Sequence, residues 1–257
     1  MRRLILEEPV SGAAIWSRRC AVLALAVAGF GLGFGRFGFT DLPSAVTVFV
    51  AALLLAVLAL LLAAISGVAI WNRGVKGLGR ALTGAVLALA LLGWPMVMMV
   101  RSFGQPQMTD ISTDMDVPPP FSGDVRVVAQ RGFMPASLSR SQREPQIRAY
   151  PDIQPLMLDM DVQDAFSIAQ TVVKTLRWRV IDAHPPSIGA AEGRLEVQAR
   201  SLLMGIPYAV SLRLKTTQDG TRLDIRSVSN LGAHDFGANA DLIRKFTAAV
   251  QTELDAR

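Results

Sequence analysis

A dense set of polar residues lies near the carboxyl end of the chain, where alternating strand residues give way to a helical pattern. Gly232 and Gly237 are interleaved with it. Because a helix N-terminus offers free N–H groups, such a junction can bind a ligand. The same side chains can instead serve the architecture by capping the helix and satisfying turns, and the residue types favour this second interpretation. The set consists of Arg226, Ser227, Ser229, Asp235 and Asn239.

Ser227 and Ser229 precede His234 and Asp235, and these are the residue types of a serine hydrolase. No G-x-S-x-G elbow occurs, however, and neighbours in sequence diverge in space. We therefore expect a non-enzymatic protein, and an envelope hydrolase that uses these four residues is the alternative. His184 and His234 are the only two histidines, with no cysteine beside them, so we predict no metal site and no cofactor.

A second polar cluster precedes the prolines at 118–120 and contains Asp110, Thr113 and Asp114. Such oxygen-rich clusters can hold a hard cation, but the spacing is not that of a calcium-binding EF-hand loop. Side-chain turns in a solvated arm are the favoured interpretation. The candidate binding residues are therefore Asp110, Thr113, Asp114, Arg226, Ser227, Ser229, Asp235 and Asn239.

The first hundred residues contain three long apolar stretches. A membrane span needs about 20 apolar residues to cross a hydrocarbon core of about 30 Å. We predict spans at 20–35, 44–71 and 81–100. The domain organisation is then a cytoplasmic tail at 1–14, three transmembrane helices within 15–100, a polar proline-containing arm at 101–149 and a soluble α+β domain at 150–257.

Basic residues fix the predicted orientation, because cytoplasmic flanks carry the excess of Lys and Arg. Between the first and second spans there is only Arg36, offset by Asp41. The N-terminus should therefore be cytoplasmic, and the C-terminal domain should be periplasmic, on the outer side of a bacterial inner (plasma) membrane. The inner-side basic residues are Arg2, Arg3, Arg18, Arg19, Arg73, Lys76 and Arg80.

The net charge of +5 comes from the membrane region. Residues 1–100 hold eight basic and three acidic residues, whereas residues 101–257 hold eighteen of each. The outer domain is therefore formally neutral, and nucleic-acid binding is not expected.

Small residues in the first span suggest close helix packing. Gly29, Gly31, Gly33 and Gly35 form two overlapping pairs of glycines four residues apart. They could serve a homo-oligomer or an envelope protein partner. Packing against this chain's own second or third span is the favoured interpretation.

The outer domain shows the pattern of an α+β fold. An amphipathic helix follows Asp161, four alternating strands come next, with a tight turn at Asp219 and Gly220, and a last helix begins near Gly237. We predict an antiparallel four-stranded sheet with two helices on one face. A further short strand is expected at 124–129.

Two blocks resemble the family known as domain of unknown function 1499, over roughly residues 107–254. The first runs from Asp110 to Phe121, and the second includes Arg226 to Ser229, Asp235 and Asn239. The resemblance implies no established reaction, but it implies that the arm packs on the sheet. The chain departs from the family pattern at Tyr208, Ala209 and Asn230. The expected function is a non-enzymatic binding or envelope assembly and maintenance factor.

Overall fold

The protein was analysed as a computed structural model that describes residues 9–103, 106, 108–122, 140–187, 191–229 and 235–256. It divides into two compact units. The first contains residues 1–101 with the segment 202–205, and the second contains residues 102–201 and 206–257.

The first unit contains three long helices, α1 (Gly12–Phe37), α2 (Leu42–Arg73) and α3 (Leu78–Ser102). All three are long and apolar enough to cross a membrane, which confirms the three predicted apolar helices. The first begins earlier than predicted because Ser11 caps it by accepting a hydrogen bond from the N–H of Ala14. It ends at Gly38, which adopts a left-handed conformation with φ of 75°.

Small side chains bring α1 and α2 together. A Cβ atom on Gly31 would lie 3.0 Å from Val48, and one on Gly35 would lie 2.8 Å from the Cβ of Ala45. Nothing lies within 4 Å of the position that a Cβ would occupy on Gly29 or Gly33. Packing against the chain's own second span therefore accounts for Gly31 and Gly35, and the other two glycines face open space.

The second unit is built on one antiparallel sheet in the order β1–β6–β5–β4–β3, with β2 also pairing with β6. The sheet has six strands, so the prediction of four was wrong. The two additional strands, β1 and β2, have three residues each, too few to show an alternating pattern. The strands are β1 (Asp110–Ser112), β2 (Leu156–Leu158), β3 (Arg179–His184), β4 (Glu192–Arg200), β5 (Pro207–Thr217) and β6 (Gly220–Ser229).

Three helices accompany the sheet: α4 (Arg140–Ala149), α5 (Val162–Thr175) and α6 (Ala238–Asp255). As predicted, Asp161 caps α5, and its carboxylate accepts hydrogen bonds from the N–H groups of Gln163 and Asp164. The helix α4 lies in a stretch that composition alone assigned to an irregular arm. Its sequence is polar and contains Pro145, and its buried Gln146 bonds to the backbone N–H and C=O of Ser112. The strand expected at 124–129 lies outside the described residues.

The hydrophobic core lies between α5, α6 and one face of the sheet. Val197, Leu212 and Ile225 supply it from the three long strands, and each is at most 1% exposed. Trp178 stacks on Phe246 of α6 with ring centroids 5.7 Å apart. This confirms an antiparallel sheet with two helices on one face. The opposite face is left to the polar side chains.

Candidate functional site

The sheet face opposite the core carries charged side chains that are nonetheless buried. We call it the polar face; it includes Glu196 of β4, Arg213 of β5, and Asp224 and Arg226 of β6. These side chains alternate with the core residues along each strand, and the four residues are between 1% and 8% exposed. Buried charges need partners and a cover. Residues 113–122, which we call the covering segment, supply both.

Hydrogen bonds hold the covering segment on the polar face. The Oγ of Ser211 donates to the carbonyl of Pro120 at 2.8 Å. The N–H and hydroxyl of Ser122 both donate to the Glu196 carboxylate, at 2.7 and 2.8 Å. Burial raises the pKa of Glu196, and the two bonds from Ser122 oppose that increase. The segment is thus attached to two neighbouring strands.

Asp110 and Arg226 form a buried ion pair between β1 and β6. Arg226 donates from Nε and Nη2 to the two carboxylate oxygens at 2.9 and 2.6 Å, and the side chains are 6% and 8% exposed. The guanidinium also lies over the ring of Phe121, 5.2 Å from its centroid, and donates to the carbonyl of Pro119. Burial raises the pKa of Asp110, and the bonds from Arg226 oppose that increase. The pair fastens the short first strand to the sheet.

Two arginines and two aspartates form a closed ion-pair network beside this pair. Arg213 donates to Asp114 at 2.8 Å and to Asp224 at 2.7 Å. Arg222 contacts the same two carboxylates at 3.1 and 2.9 Å. Burial tends to raise the pKa of Asp114, but backbone N–H donors from Val117 and residue 116 and the two arginines lower it overall. The network therefore holds both guanidinium groups in fixed positions.

The four residues of this network line a cavity of about 430 Å³, which we call the polar cavity. Four of its lining residues are cationic and three are acidic. Among the described residues, the salt bridges pair the three arginines with the three acids, and Lys215 lies outside these pairs. Lys215 is exposed and supplies the excess positive charge. The cavity is lined by Asp114, Val117, Pro118, Pro120, Glu192, Arg194, Arg213, Lys215, Arg222 and Asp224.

The predicted polar residues at the β6–α6 junction form a separate cluster on the helix side of the sheet. Ser227 donates to the Oδ1 of Asn239 at 2.8 Å. The Nδ2 of Asn239 donates to the hydroxyl of Ser229 at 3.0 Å and to the carbonyl of Thr109 at 3.1 Å. Asn239 is fully buried. It therefore bridges β6, α6 and the residue that precedes β1.

Asp235 organises the start of α6. Its two carboxylate oxygens accept hydrogen bonds from the N–H groups of Gly237 and Asn239, at 3.0 and 2.8 Å. Gly237 has a φ of 80°, a conformation that favours glycine. Burial, together with the negative charge of Asp235, raises the pKa of Tyr208 to about 12. These contacts agree with the architectural interpretation of the junction.

One of the eight candidate residues lies at the polar cavity. Asp114 lines the polar cavity, and the other seven are absent from its lining. Thr113 extends the β1–β6 pairing, with its hydroxyl accepting from the N–H of Ile225 at 2.8 Å. Asp110 and Arg226 lie on the polar face, and Ser227, Ser229, Asp235 and Asn239 lie on the helix side.

The hydrolase alternative involves residues that the structure describes only in part. Ser227 is fully buried and Ser229 is 4% exposed, and both hydroxyls bond to Asn239. His234 lies outside the described residues, as do Gly232 and Asn230. Within the described part of the chain, no group of three histidine, cysteine or acidic residues is placed to hold a metal ion.

Sequence reasoning missed the residues that shape the cavity. These residues, Arg213, Lys215 and Arg222, belong to strands that were predicted to have one solvent-exposed face. The residues next to them in sequence do not distinguish them from ordinary surface residues. One signal was available. In β6 the residues Arg222, Asp224 and Arg226 alternate in charge on one face, and Asp224 lies directly opposite Arg213 on β5. Cross-strand pairs of opposite charge at this spacing indicate an ion-pair network.

The fold and site define a two-part protein. Three helices long and apolar enough to cross a membrane precede an α+β domain whose polar face is closed by its own covering segment. The chain belongs to the family described as protein of unknown function, DUF1499, whose model matches residues 110–250, more than half of the chain. This confirms the resemblance of the two sequence blocks. No curated protein matches the chain.

Proposed function

We propose that this chain is a non-enzymatic binding protein of the bacterial inner membrane that serves cell-envelope assembly or maintenance. Its α+β domain stands on the extracytoplasmic side and binds an acidic group of an envelope protein partner in the polar cavity. The polar cavity is the observation that supports this proposal. It has positioned cations and an opening to solvent.

The charges of the cavity suit a carboxylate. Asp114 and Asp224 hold the guanidinium groups of Arg213 and Arg222 in place, so little side-chain entropy is lost when a ligand arrives. Lys215 adds an exposed ammonium group to the lining. The acidic residues of the cavity would repel an incoming carboxylate. Because cationic lining residues outnumber acidic ones by one, the net charge of the cavity nevertheless favours a negatively charged group.

The location depends on the distribution of basic residues. The short segments before α1 and between α2 and α3 carry the excess of Lys and Arg, which favours a cytoplasmic N-terminus. With three crossings, the domain is then outside the cytoplasm. Alkaline phosphatase fused after residue 257 should be active, because it folds only in an oxidising compartment. An inactive phosphatase fusion, with an active β-galactosidase fusion at the same site, would place the domain in the cytoplasm and refute this localisation.

Site-specific photo-crosslinking in cells tests the binding role. A photoreactive residue at Val117, which lines the cavity and is 63% exposed, should give a discrete crosslinked protein. The matched control is the same residue at Met157 on β2, which is 56% exposed and does not line the cavity. Equal, diffuse crosslinking at both positions would contradict a partner site at the cavity.

Charge substitution tests the chemistry of recognition. Lys215→Glu should abolish the Val117 crosslink, because it reverses the charge that the partner's acidic group meets. Lys174→Glu on α5 makes the same change at an exposed position of the helix layer and should leave the crosslink unchanged. A crosslink that survives Lys215→Glu would rule out recognition of an acidic group.

The envelope hydrolase has less support. It needs a nucleophile that substrate can reach, and Ser227 and Ser229 are buried and bonded to Asn239. Ser227→Ala and Ser229→Ala should therefore leave any envelope phenotype of the gene unchanged as long as the protein accumulates normally.

A further inference from the structure

The connection between β4 and β5 carries exposed apolar side chains at a position where turns are normally polar. Its sequence from Ser201 to Ile206 contains Leu202, which is 86% exposed, and Leu203, which is 46% exposed. We propose that this hairpin tip inserts into the interfacial region of the same membrane that the three helices cross. The inference rests on the membrane anchoring proposed above and is independent of the polar cavity.

Strand register places the tip at the end of the sheet where the chain arrives from α3. Arg200 pairs with Pro207 at the tip, and the next residue, Tyr208, pairs with Ser229 at the end of β6. Asp110, the first residue of β1, pairs with Val228 of the same strand end. The tip and the start of β1 therefore share one end of the sheet. Three strand spacings separate β1 from β4, a lateral distance of about 14 Å.

A short linker joins α3 to this end of the sheet. The chain is fixed on the sheet from Met108 onward, because Met108 is 2% exposed and the carbonyl of Thr109 accepts a hydrogen bond from Ser229. Six residues lead from Ser102, the end of α3, to Met108, and they can span at most about 21 Å. The opposite end of the sheet lies a further strand length away, about 33 Å along β5. The short linker therefore supports the proposal that the end that bears Leu202 is the one in contact with lipid.

The charges at this end suit a bilayer that contains anionic lipid. Arg179 of β3 and Arg200 of β4 are exposed, and register places both at the end of the sheet that bears the tip. Basic side chains beside inserted apolar residues are the usual pattern of interfacial binding, with apolar groups entering about 5–10 Å. Inserted Leu202 and Leu203 would fix the height and tilt of the domain above its anchor.

The proposal can be tested with a fluorophore in the full chain. The single cysteine is replaced by Cys20→Ala, and Leu202→Cys is labelled with an environment-sensitive dye after reconstitution into vesicles of phosphatidylethanolamine and phosphatidylglycerol. Emission should shift to the blue and be quenched by spin labels on the lipid chains. Gln218→Cys is the matched control, because it is exposed in the β5–β6 turn at the other end of the sheet and should show neither effect.

The outcomes separate this inference from the anchoring. Resistance of the reconstituted protein to extraction with alkaline carbonate reports the membrane helices alone. If the protein resists extraction but the dye at position 202 behaves like the dye at position 218, tip insertion is wrong and the anchoring stands. Blue-shifted emission without lipid quenching, which indicates contact with protein instead of lipid, also overturns the proposal.

Discussion

Removing one partner of the buried Asp110–Arg226 pair should unfold the outer domain far more easily than the same change in an exposed pair. Asp110→Asn keeps the shape of the side chain and removes its charge. The neighbouring contacts of Arg226 with Pro119 and Phe121 stay in place. The Arg226 side chain, which is 6% exposed, would then lose the carboxylate that it contacts at 2.6 Å.

The size of the effect follows from burial. Breaking a buried ion pair by removing one partner costs about 3–5 kcal/mol, since the remaining charge is desolvated and uncompensated. The pair between Arg244 and Asp152 has the same shortest distance, 2.6 Å, but its side chains are 41% and 50% exposed. An exposed pair is worth about 0.2–1 kcal/mol, so Asp152→Asn is the matched control.

Urea unfolding of the full chain in detergent, read by pulse proteolysis of the outer domain, measures both changes in the free energy of unfolding. The difference between the two variants should be at least about 2 kcal/mol. Replacing both partners by apolar residues, with Asp110→Leu and Arg226→Met together, should recover much of the loss because both buried charges are removed. If Asp110→Asn costs no more than Asp152→Asn, the pair does not act as a buried charge pair and this reasoning fails.

Two further predictions concern pH and helix packing. Burial raises the folded-state pKa of Glu196 above its unfolded value, so its contribution favours the fold below the unfolded pKa and is lost as pH rises through the folded pKa. Glu196→Gln should therefore gain stability relative to wild type as pH rises across that range, and urea midpoints that differ by the same amount at every pH would contradict this. Gly35→Leu should disrupt packing of α1 on α2, because a Cβ there would already lie 2.8 Å from Ala45, whereas Gly33→Leu should be tolerated. Crosslinking in membranes distinguishes packing within the chain from packing against another chain. If Gly33→Leu, and not Gly35→Leu, abolishes a crosslinked complex, Gly33 contacts a partner helix and the expectation is wrong.

Long periodic segments of this fold could be predicted from sequence. The apolar helices, the helix after Asp161 and the β5–β6 hairpin each carry their signal within a single stretch of chain. The strand β1 does not, because its three residues become a strand only by pairing with β6, more than a hundred residues later. The helix α4 was missed because it has no apolar stripe and contains Pro145.

The polar face was missed for a different reason. Alternation in β5 correctly indicates that Arg213 points away from the core, and local sequence then predicts that its side chain is exposed to solvent. Its burial depends on Asp114, which lies 99 residues earlier in the chain and brings the covering segment over the sheet. The charges of the β5–β6 hairpin indicate an ion pair, but only a tertiary contact distinguishes a surface arginine from one that lines a cavity.

The two sequence blocks that carry the resemblance to the family contact each other in the folded domain. Asp110 of the first block pairs with Arg226 of the second, and the residue just before the first block, Thr109, accepts a hydrogen bond from Asn239. In this chain the two blocks therefore share a structural task, which is to fasten β1 to β6 and α6. Lys215 lies outside both blocks and lines the polar cavity. The function of this chain should therefore be sought at the edge of the cavity, where Lys215 does not help to fasten β1 to the sheet.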